Sequence, residues 1–245
     1  MKNSDKTRTT QTQAGSGFIA CDQCALDDIC KPTPLSGKQA LSQILNSMER
    51  RKPLLAGESL YCQDEKMESL YAVTSGTIKL LSTLESGRTQ VIGFRLPGEL
   101  LGDEAFFSRK HCISAVAVTN ASVCIIPIND IDSISKLIPS FQTSLLELIS
   151  QQCYLLHKQF SAYIAHNNAE EKLAAFILNI KERSLEKNNS IPLEMSKGDI
   201  ANFLGLRNET FSRILSVFKK NKIISIESKM LQILDIKALQ TIISS

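Results

Sequence analysis

Residues 196–220 read Ser196-Lys-Gly-Asp-Ile-Ala-Asn-Phe-Leu-Gly-Leu-Arg-Asn-Glu-Thr-Phe-Ser-Arg-Ile-Leu-Ser-Val-Phe-Lys-Lys220. The pattern predicts two short helices around a tight turn. Ser196 is a predicted helix cap, and Asp199 three residues later completes an approximate capping box. The first helix should end near Gly205, and Asn208 should cap a second helix that reaches about Lys220. Two helices joined by a short glycine-containing turn are typical of a helix-turn-helix.

The second predicted helix has an apolar stripe and a polar stripe. The apolar stripe should face the core, and it consists of Phe211, Ile214, Leu215 and Phe218. The polar stripe repeats the same spacing and consists of Glu209, Ser212, Arg213 and Ser216. Arginine bonds guanine O6 and N7 together, and glutamate accepts from a cytosine amino group, so this row suits base edges in a major groove. The alternative is a solvated face with an intrahelical Glu209–Arg213 ion pair.

Basic charge is concentrated in the same stretch. The whole chain of 245 residues has a formal net charge of +3. Residues 196–224 alone hold six Lys and Arg side chains against Asp199 and Glu209, a local net charge of +4. We expect Arg213 and Glu209 to contact base edges and Lys219 and Lys220 to contact phosphates, with Arg207 and Ser216 as further candidate contacts to the DNA backbone.

The middle of the chain predicts short β-strands. Alternating or β-branched runs separated by glycines are typical of a sandwich, barrel or roll. The predicted strands are Ser59–Gln63, Ser69–Val73, Thr77–Leu81, Gln90–Arg95, Ile113–Thr119 and Ser122–Ile128.

One long helix is predicted over residues 139–166. Its apolar residues alternate at spacings of three and four, which is the a/d pattern of a coiled coil and favours a partner helix. The predicted seam, and hence the predicted homodimer interface, is Leu146, Ile149, Cys153, Leu156, Phe160 and Tyr163. The alternative is a single amphipathic helix packed on its own domain.

Three of the seven cysteines form the cluster Cys21-x2-Cys24-x5-Cys30. An iron–sulfur centre, a structural zinc, a redox disulfide and unrelated surface thiols all remain open on this spacing alone. The polar residues 1–17 lack the apolar core of a signal peptide, and no stretch approaches the roughly 20 apolar residues that span a bilayer. We therefore expect no membrane association and a cytoplasmic protein with reduced thiols.

Two segments, Leu70–Lys79 and Gly98–Gly102, resemble the β-roll of the cyclic-nucleotide-binding superfamily. In its nucleotide-binding members a glutamate holds the ribose and an Arg–Ser pair holds the cyclic phosphate. The matching positions here are Asp103 and Ile113–Ser114. An aliphatic side chain cannot supply a bidentate phosphate contact, so cAMP binding is not expected.

The segments Lys197–Leu206 and Glu209–Arg213 resemble the DNA-binding motif of FNR-type regulators of the CRP/FNR family. The resemblance implies base contacts through the Glu-x-x-Ser-Arg residues and RNA polymerase as a partner. Val123–Pro127 is similar to the strand that brings the fourth cluster cysteine. The resemblance therefore implies an oxygen-labile [4Fe–4S] cluster on Cys21, Cys24, Cys30 and Cys124, and TTGAT-type half-sites read under anaerobic conditions.

The expected fold is α+β, with an N-terminal β-roll, a long dimerisation helix and a C-terminal winged helix-turn-helix whose wing is the hairpin around Ile223–Leu234. We divide the chain into a tail (1–18), a sensor segment with β-roll (19–138), the dimerisation helix (139–166) and the DNA-binding domain (167–245). The alternatives within this fold are a cluster-free thiol-redox regulator and a regulator gated by a small ligand. An enzyme is not expected, because no sequence cue joins the three histidines to a catalytic cysteine.

Overall fold

The computed structural model describes residues 49–50, 53–137, 140–165, 168–184 and 189–244. The strands in this part of the chain are β1 (Glu49–Arg50), β2 (Ser59–Tyr61), β3 (Ser69–Ser75), β4 (Ile78–Thr83), β5 (Thr89–Arg95), β6 (Leu100–Leu101), β7 (Ser114–Ala117), β8 (Ser122–Pro127), β9 (Ser190–Pro192), β10 (Ile224–Glu227) and β11 (Met230–Ile233). The helices are α1 (Ile131–Leu137), α2 (Ser140–Ala165), α3 (Ala169–Arg183), α4 (Lys197–Leu204), α5 (Asn208–Lys220) and α6 (Ile236–Ser244).

The N-terminal unit is a roll of two antiparallel four-stranded sheets. One sheet has the strand order β1-β8-β3-β6 and the other β2-β7-β4-β5. Apolar side chains from both sheets meet in one buried cluster between them, which includes Val73, Ile78 and Val123. The six predicted strands are confirmed within a few residues at each end. The short strands β1 and β6 were not predicted, because two residues carry no readable period.

Helices α1 and α2 cover the outer face of the β1-β8-β3-β6 sheet. Phe141 and Leu145 of α2 are buried there against sheet residues such as Leu70 and Leu100. The prediction of one long helix over 139–166 agrees with α2, which runs for 26 residues. Helix α1 was not predicted, since its seven residues are too short for a clear helical period.

The C-terminal unit is a winged helix-turn-helix. Helices α3, α4 and α5 enclose a core to which Phe176, Ile200 and Phe218 contribute, and strands β10 and β11 form the predicted wing hairpin, with β9 as a third strand. The apolar side chains Leu173, Phe176, Ile177 and Ile180 of α3 are buried, and Gly205 ends α4 in the left-handed conformation with φ of 67°. The observed fold is therefore α+β, as predicted.

The division of the chain into four segments stays a prediction. The predicted tail, Cys21, Cys24 and Cys30 lie outside the described residues. None of the described helices combines the length and the apolar character that crossing a membrane requires.

Candidate DNA-binding surface and sensor cysteine

Helix α5 separates its residues as the sequence predicts. The apolar stripe of Phe211, Ile214, Leu215 and Phe218 is buried in the C-terminal core. The polar stripe of Glu209, Ser212, Arg213 and Ser216 is exposed on the opposite side. Among the described residues, Glu209 and Arg213 do not form an ion pair with each other. The alternative of an intrahelical Glu209–Arg213 pair is therefore not observed. Their hydrogen-bonding groups face solvent and are available to a ligand.

The start of α5 differs from the prediction. Arg207, not Asn208, occupies the cap position, its side chain makes no capping hydrogen bond, and Asn208 is the first residue of the helix. The turn is set by Gly205 and by the Leu206 N–H, which donates to the Ala201 carbonyl at 2.8 Å. A left-handed glycine of this kind fixes the chain direction without a side-chain cap.

The start of α4 agrees with the prediction. The Ser196 hydroxyl accepts a hydrogen bond from the Asp199 N–H at 3.0 Å and donates to the Asp199 carboxylate at 2.8 Å. This cap anchors the first helix of the motif, and therefore the angle at which α5 leaves the turn.

Basic side chains surround the exposed face of α5. Arg207, Lys219 and Lys220 are exposed, as expected of phosphate contacts. The Ser216 hydroxyl donates to the Ser212 carbonyl at 2.9 Å, which leaves its oxygen lone pairs available. Sequence reasoning missed Lys229, which is exposed at the wing tip. Ser228 and Lys229 both have positive φ there, and the usual Asn-Gly signal of such a turn is absent from the sequence.

The long helix α2 leaves much of its predicted seam uncovered. Leu146, Leu156 and Phe160 are 68%, 44% and 66% exposed, and Cys153 is exposed as well. Ile149 is half-buried because it also packs on the β-roll; the side chain of Tyr163 lies outside the described set. Phe141 and Leu145 of the helix pack on its own domain, and Gln152 is buried as well. The seam is thus a separate apolar surface.

Cys124 lies in the middle of β8, half-buried. It pairs with Ala72 of β3, which in turn pairs with Leu100 of β6. Directly opposed residues share one face of a sheet. Cys124 is therefore on the same face as Ala72 and Leu100, the face on which α2 begins. Among the described residues, no three His, Cys, Asp or Glu side chains converge as a metal site.

The position of a cyclic-phosphate clamp is apolar. Ile113 is buried in the cluster between the two sheets, and the Ser114 hydroxyl accepts a hydrogen bond from the Gln63 N–H at 2.8 Å. Nearby, burial raises the pKa of Asp103 more than the Arg95 guanidinium lowers it. The buried Arg95 donates to the Leu100 carbonyl at 3.1 Å.

A carboxylate and an imidazole also lie near Asp103 and Arg95. Glu104 contacts the buried His111 imidazole at 2.8 Å, and the His111 ring stacks on Tyr61 at 3.7 Å between centroids. Two carboxylates beside a single buried guanidinium make a poor site for a phosphate anion.

Two parts of the chain match family models. Residues 51–136 match the model described as "Cyclic nucleotide-binding domain", and residues 171–242 match "Crp-like helix-turn-helix domain". The "Fumarate and nitrate reduction regulatory protein" of Yersinia pestis is 35% identical over 238 residues, which cover 96% of this chain and 94% of that protein. The chain belongs to the CRP/FNR family of transcription regulators.

A second curated relative and one solved structure are also similar to the chain. The "Anaerobic regulatory protein" of Haemophilus influenzae is 36% identical over 230 residues, covering 93% of this chain and 89% of that protein. The structure of FixK2 from Bradyrhizobium japonicum superposes with a TM-score of 0.70 at 23% identity, covering 79% of this chain and 97% of that one, and supports the fold. The chain is thus an FNR-type regulator with a helix-turn-helix, and not an enzyme.

Proposed function

We propose that the chain acts as a homodimer that binds palindromic DNA with TTGAT-type half-sites under anaerobic conditions. The observation that carries this proposal is helix α5, whose exposed polar stripe stands on a fully buried apolar stripe. A helix anchored in this way presents its polar side chains without cost to the core. Two such helices related by a two-fold axis would enter successive major grooves about 34 Å apart.

Each side chain of this surface has a distinct role in the proposal. Arg213 donates two hydrogen bonds to a guanine, and Glu209 accepts one from a cytosine amino group. Ser212 completes the base-contacting trio. Backbone phosphates are neutralised or bonded by a second group, which consists of Arg207, Ser216, Lys219 and Lys220, with Lys229 of the wing added from the structure.

Dimerisation is assigned to the seam of α2. A row of exposed leucine and phenylalanine side chains in water is unfavourable, by roughly 25 cal/mol for each Å² of apolar surface. A second copy of the same helix would cover it. Dimerisation matters for DNA because two weak half-site contacts become one strong interaction through effective concentration.

The proposed sensor is a [4Fe–4S] cluster held by Cys21, Cys24, Cys30 and Cys124. Thiolates are the usual ligands of such clusters, and Cys124 is half-buried on β8. The cluster would supply an oxygen-sensitive centre. Cys124 would tie that segment to the sheet face on which α2 begins, so its attachment would bear on the dimer helix.

The proposal also covers the effector, the protein partner and the location of the chain. Cyclic AMP is not the expected effector, because Ile113 stands at the position matched to the arginine of the phosphate clamp. RNA polymerase is the second macromolecular partner, and the cytoplasm the location, as expected of an FNR-type regulator. A thiol-redox regulator of the same fold is the competing function.

A cysteine series tests the sensor. Each of the seven cysteines is replaced by serine, and iron, sulfide and the visible absorption band are measured on anaerobically purified protein. The band should disappear only in the Cys21, Cys24, Cys30 and Cys124 variants, with Cys62, Cys112 and Cys153 variants as controls. Partial burial and the neighbouring Glu104 carboxylate raise the pKa of Cys112, which disfavours its thiolate. Wild-type protein with neither band nor iron, but with a reversible disulfide, would favour the thiol-redox function instead.

A further inference from the structure

The winged-helix unit is docked onto the β-roll of its own chain. Val91, Phe94 and Leu96, on or just after β5, belong to the same buried cluster as the core of the C-terminal unit. Phe94 contacts Phe176 of α3 and Phe203 of α4 with ring centroids 6.2 Å and 5.5 Å apart, and both contacts are edge-on. Since the two units share one core, their relative orientation is set by packing.

Polar contacts frame this shared core. Lys79 of β4 forms an ion pair with Asp199 of α4 at 2.7 Å. The Val91 N–H donates to the Asn202 side-chain oxygen at 2.6 Å. The Thr77 hydroxyl donates to the Glu194 carboxylate at 2.7 Å. All three contacts join the β4–β5 region to α4 or to the segment just before it.

Arg183, at the end of α3, makes several hydrogen bonds to the β-roll. Its Nε donates to Glu99 Oε1 at 2.8 Å and one Nη donates to Oε2 at 2.7 Å, a bidentate pair. The same guanidinium donates to the Phe94 carbonyl at 2.6 Å and to the Asn179 side chain at 3.1 Å. The two charged side chains are only 9% and 13% exposed.

Glu99 is a rigid anchor for this guanidinium. Its own N–H donates to the Leu96 carbonyl at 3.1 Å, its carbonyl accepts from the Val73 N–H at 3.0 Å, and its carboxylate accepts from the Leu96 N–H at 3.0 Å. Burial raises the pKa of Glu99, but the charge and hydrogen bonds of Arg183 offset this and leave the pKa lowered. The carboxylate is therefore ionised at neutral pH and bound to Arg183.

The docked arrangement leaves the DNA-reading face free. The contacts to the β-roll are made by α3, by α4 and by the segment before α4, whereas Glu209, Ser212 and Arg213 of α5 are exposed. Docking thus fixes the direction of α5 without covering it. Removal of one partner of a buried ion pair leaves the other charge unpaired, so loss of Arg183 should loosen this arrangement.

We propose that Arg183, through its bidentate pair with Glu99, is a positioning residue that holds the winged-helix unit in the orientation needed to engage both half-sites at once. Arg183 itself touches no DNA. The inference rests on the proposed two-fold DNA binding. Its consequence is specific: the advantage of a two-fold site over a single half-site depends on Arg183, and the half-site contact does not.

The test compares binding of purified, anaerobic protein to two duplexes at one salt concentration. One duplex carries an inverted repeat of the half-site, and in the other a half-site is scrambled. Arg183→Gln removes the pair, Arg183→Lys keeps the charge without the fork, and Glu182→Gln is the matched control. Glu182 is the preceding residue of α3 and pairs with Lys158 at 2.5 Å, but these side chains are 56% and 48% exposed. An exposed pair of this kind contributes little.

We expect Arg183→Gln to weaken binding to the inverted repeat by about ten-fold or more, since the avidity of a bivalent contact is on the order of 10²–10⁴. Its half-site affinity should stay within about two-fold of wild type, Arg183→Lys should fall between the two, and Glu182→Gln should match wild type. Equal losses on both duplexes would make Arg183 merely structural and overturn the proposal. Unchanged or tighter binding to the repeat would overturn it as well. Wild-type protein that does not prefer the repeat would instead contradict the two-fold DNA binding.

Discussion

Helices α2 and α5 both carry apolar stripes, but the two stripes differ in how far the chain buries them. In α5 every apolar residue of the stripe is buried within the same unit, and the polar stripe is exposed. In α2 the domain-facing residues Phe141 and Leu145 are buried, but Leu156 and Phe160 of the seam remain exposed. The stripe of α5 is buried within a single chain, whereas the seam of α2 is left partly uncovered by it. The proposed function therefore places DNA reading and dimerisation on different helices.

The largest expected effect is on the stability of the dimer, through a substitution in the seam of α2. Leu156→Asp should weaken the dimer by about 3–5 kcal/mol, because it places a charge in an apolar interface without a partner. Leu156 is exposed in the single chain, so folding of the chain should be unaffected. Sedimentation equilibrium of anaerobic protein measures the dimer, and calorimetric unfolding measures the fold. Gln151→Asp, on the exposed side of α2 away from the seam, is the control.

An unchanged dimer in Leu156→Asp would show that the seam is not the interface. A similar change at Ile149 is less informative, since Ile149 also packs against the β-roll. Loss of dimer there would mix two causes.

The next effect addresses α5. Arg213→Ala should cost roughly 1–3 kcal/mol per half-site and relax the preference at one base pair, because one bidentate guanine contact is lost. Competition binding against duplexes substituted at each position of the half-site measures this. The dimer should be intact in the same sample, as Arg213 lies far along the chain from the seam and on another helix. Retained preference at every base pair would mean that α5 does not read DNA as proposed.

How well the sequence predicted each part depends on the distance over which a contact is made. The stripes of α5 and the Ser196 cap arise within three or four residues, so periodicity and residue type sufficed. The prediction that Asn208 caps α5 was wrong because it used residue type alone. The turn at Gly205 places Arg207 at the cap position instead. The Arg183–Glu99 pair joins residues 84 apart in sequence and has no local signal.

The seam of α2 lies between these cases. Its spacing was readable from the sequence, but spacing alone does not distinguish a partner helix from the chain's own β-roll. The exposure of Leu146 and Phe160 shows that the β-roll does not cover them, and the burial of Phe141 and Leu145 shows which side of α2 faces the β-roll. That a partner helix covers the exposed side stays a prediction. The roles of the individual cysteines rest on family resemblance, since thiols far apart in sequence carry no common period.

A smaller effect distinguishes side chains that contact phosphates from side chains that contact bases. Lys219→Ala should weaken binding to all sequences alike and reduce the slope of log affinity against log salt by about one, because one phosphate contact is lost. Titrations at several salt concentrations, on specific and random duplexes, measure the slope. A change in base preference with an unchanged slope would place Lys219 among the base contacts instead.

Cyclic AMP should neither bind the protein nor change its affinity for DNA, and this is the smallest expected effect. Ile113 cannot neutralise a buried phosphate, and Asp103 and Glu104 add negative charge nearby. Isothermal calorimetry on the dimer should give no saturable heat, and DNA affinity should be the same with and without the nucleotide. Saturable binding in the micromolar range would mean that another residue replaces the clamp.

The central claim is that two copies of α5, joined through α2, read one two-fold site. A binding selection from random duplexes with anaerobically purified chain tests it most directly. The account predicts a palindromic motif whose half-sites are centred about 10–10.5 base pairs apart, each with a guanine whose selection is lost in Arg213→Ala. A selected motif without a two-fold axis, or one whose guanine survives Arg213→Ala, would contradict it.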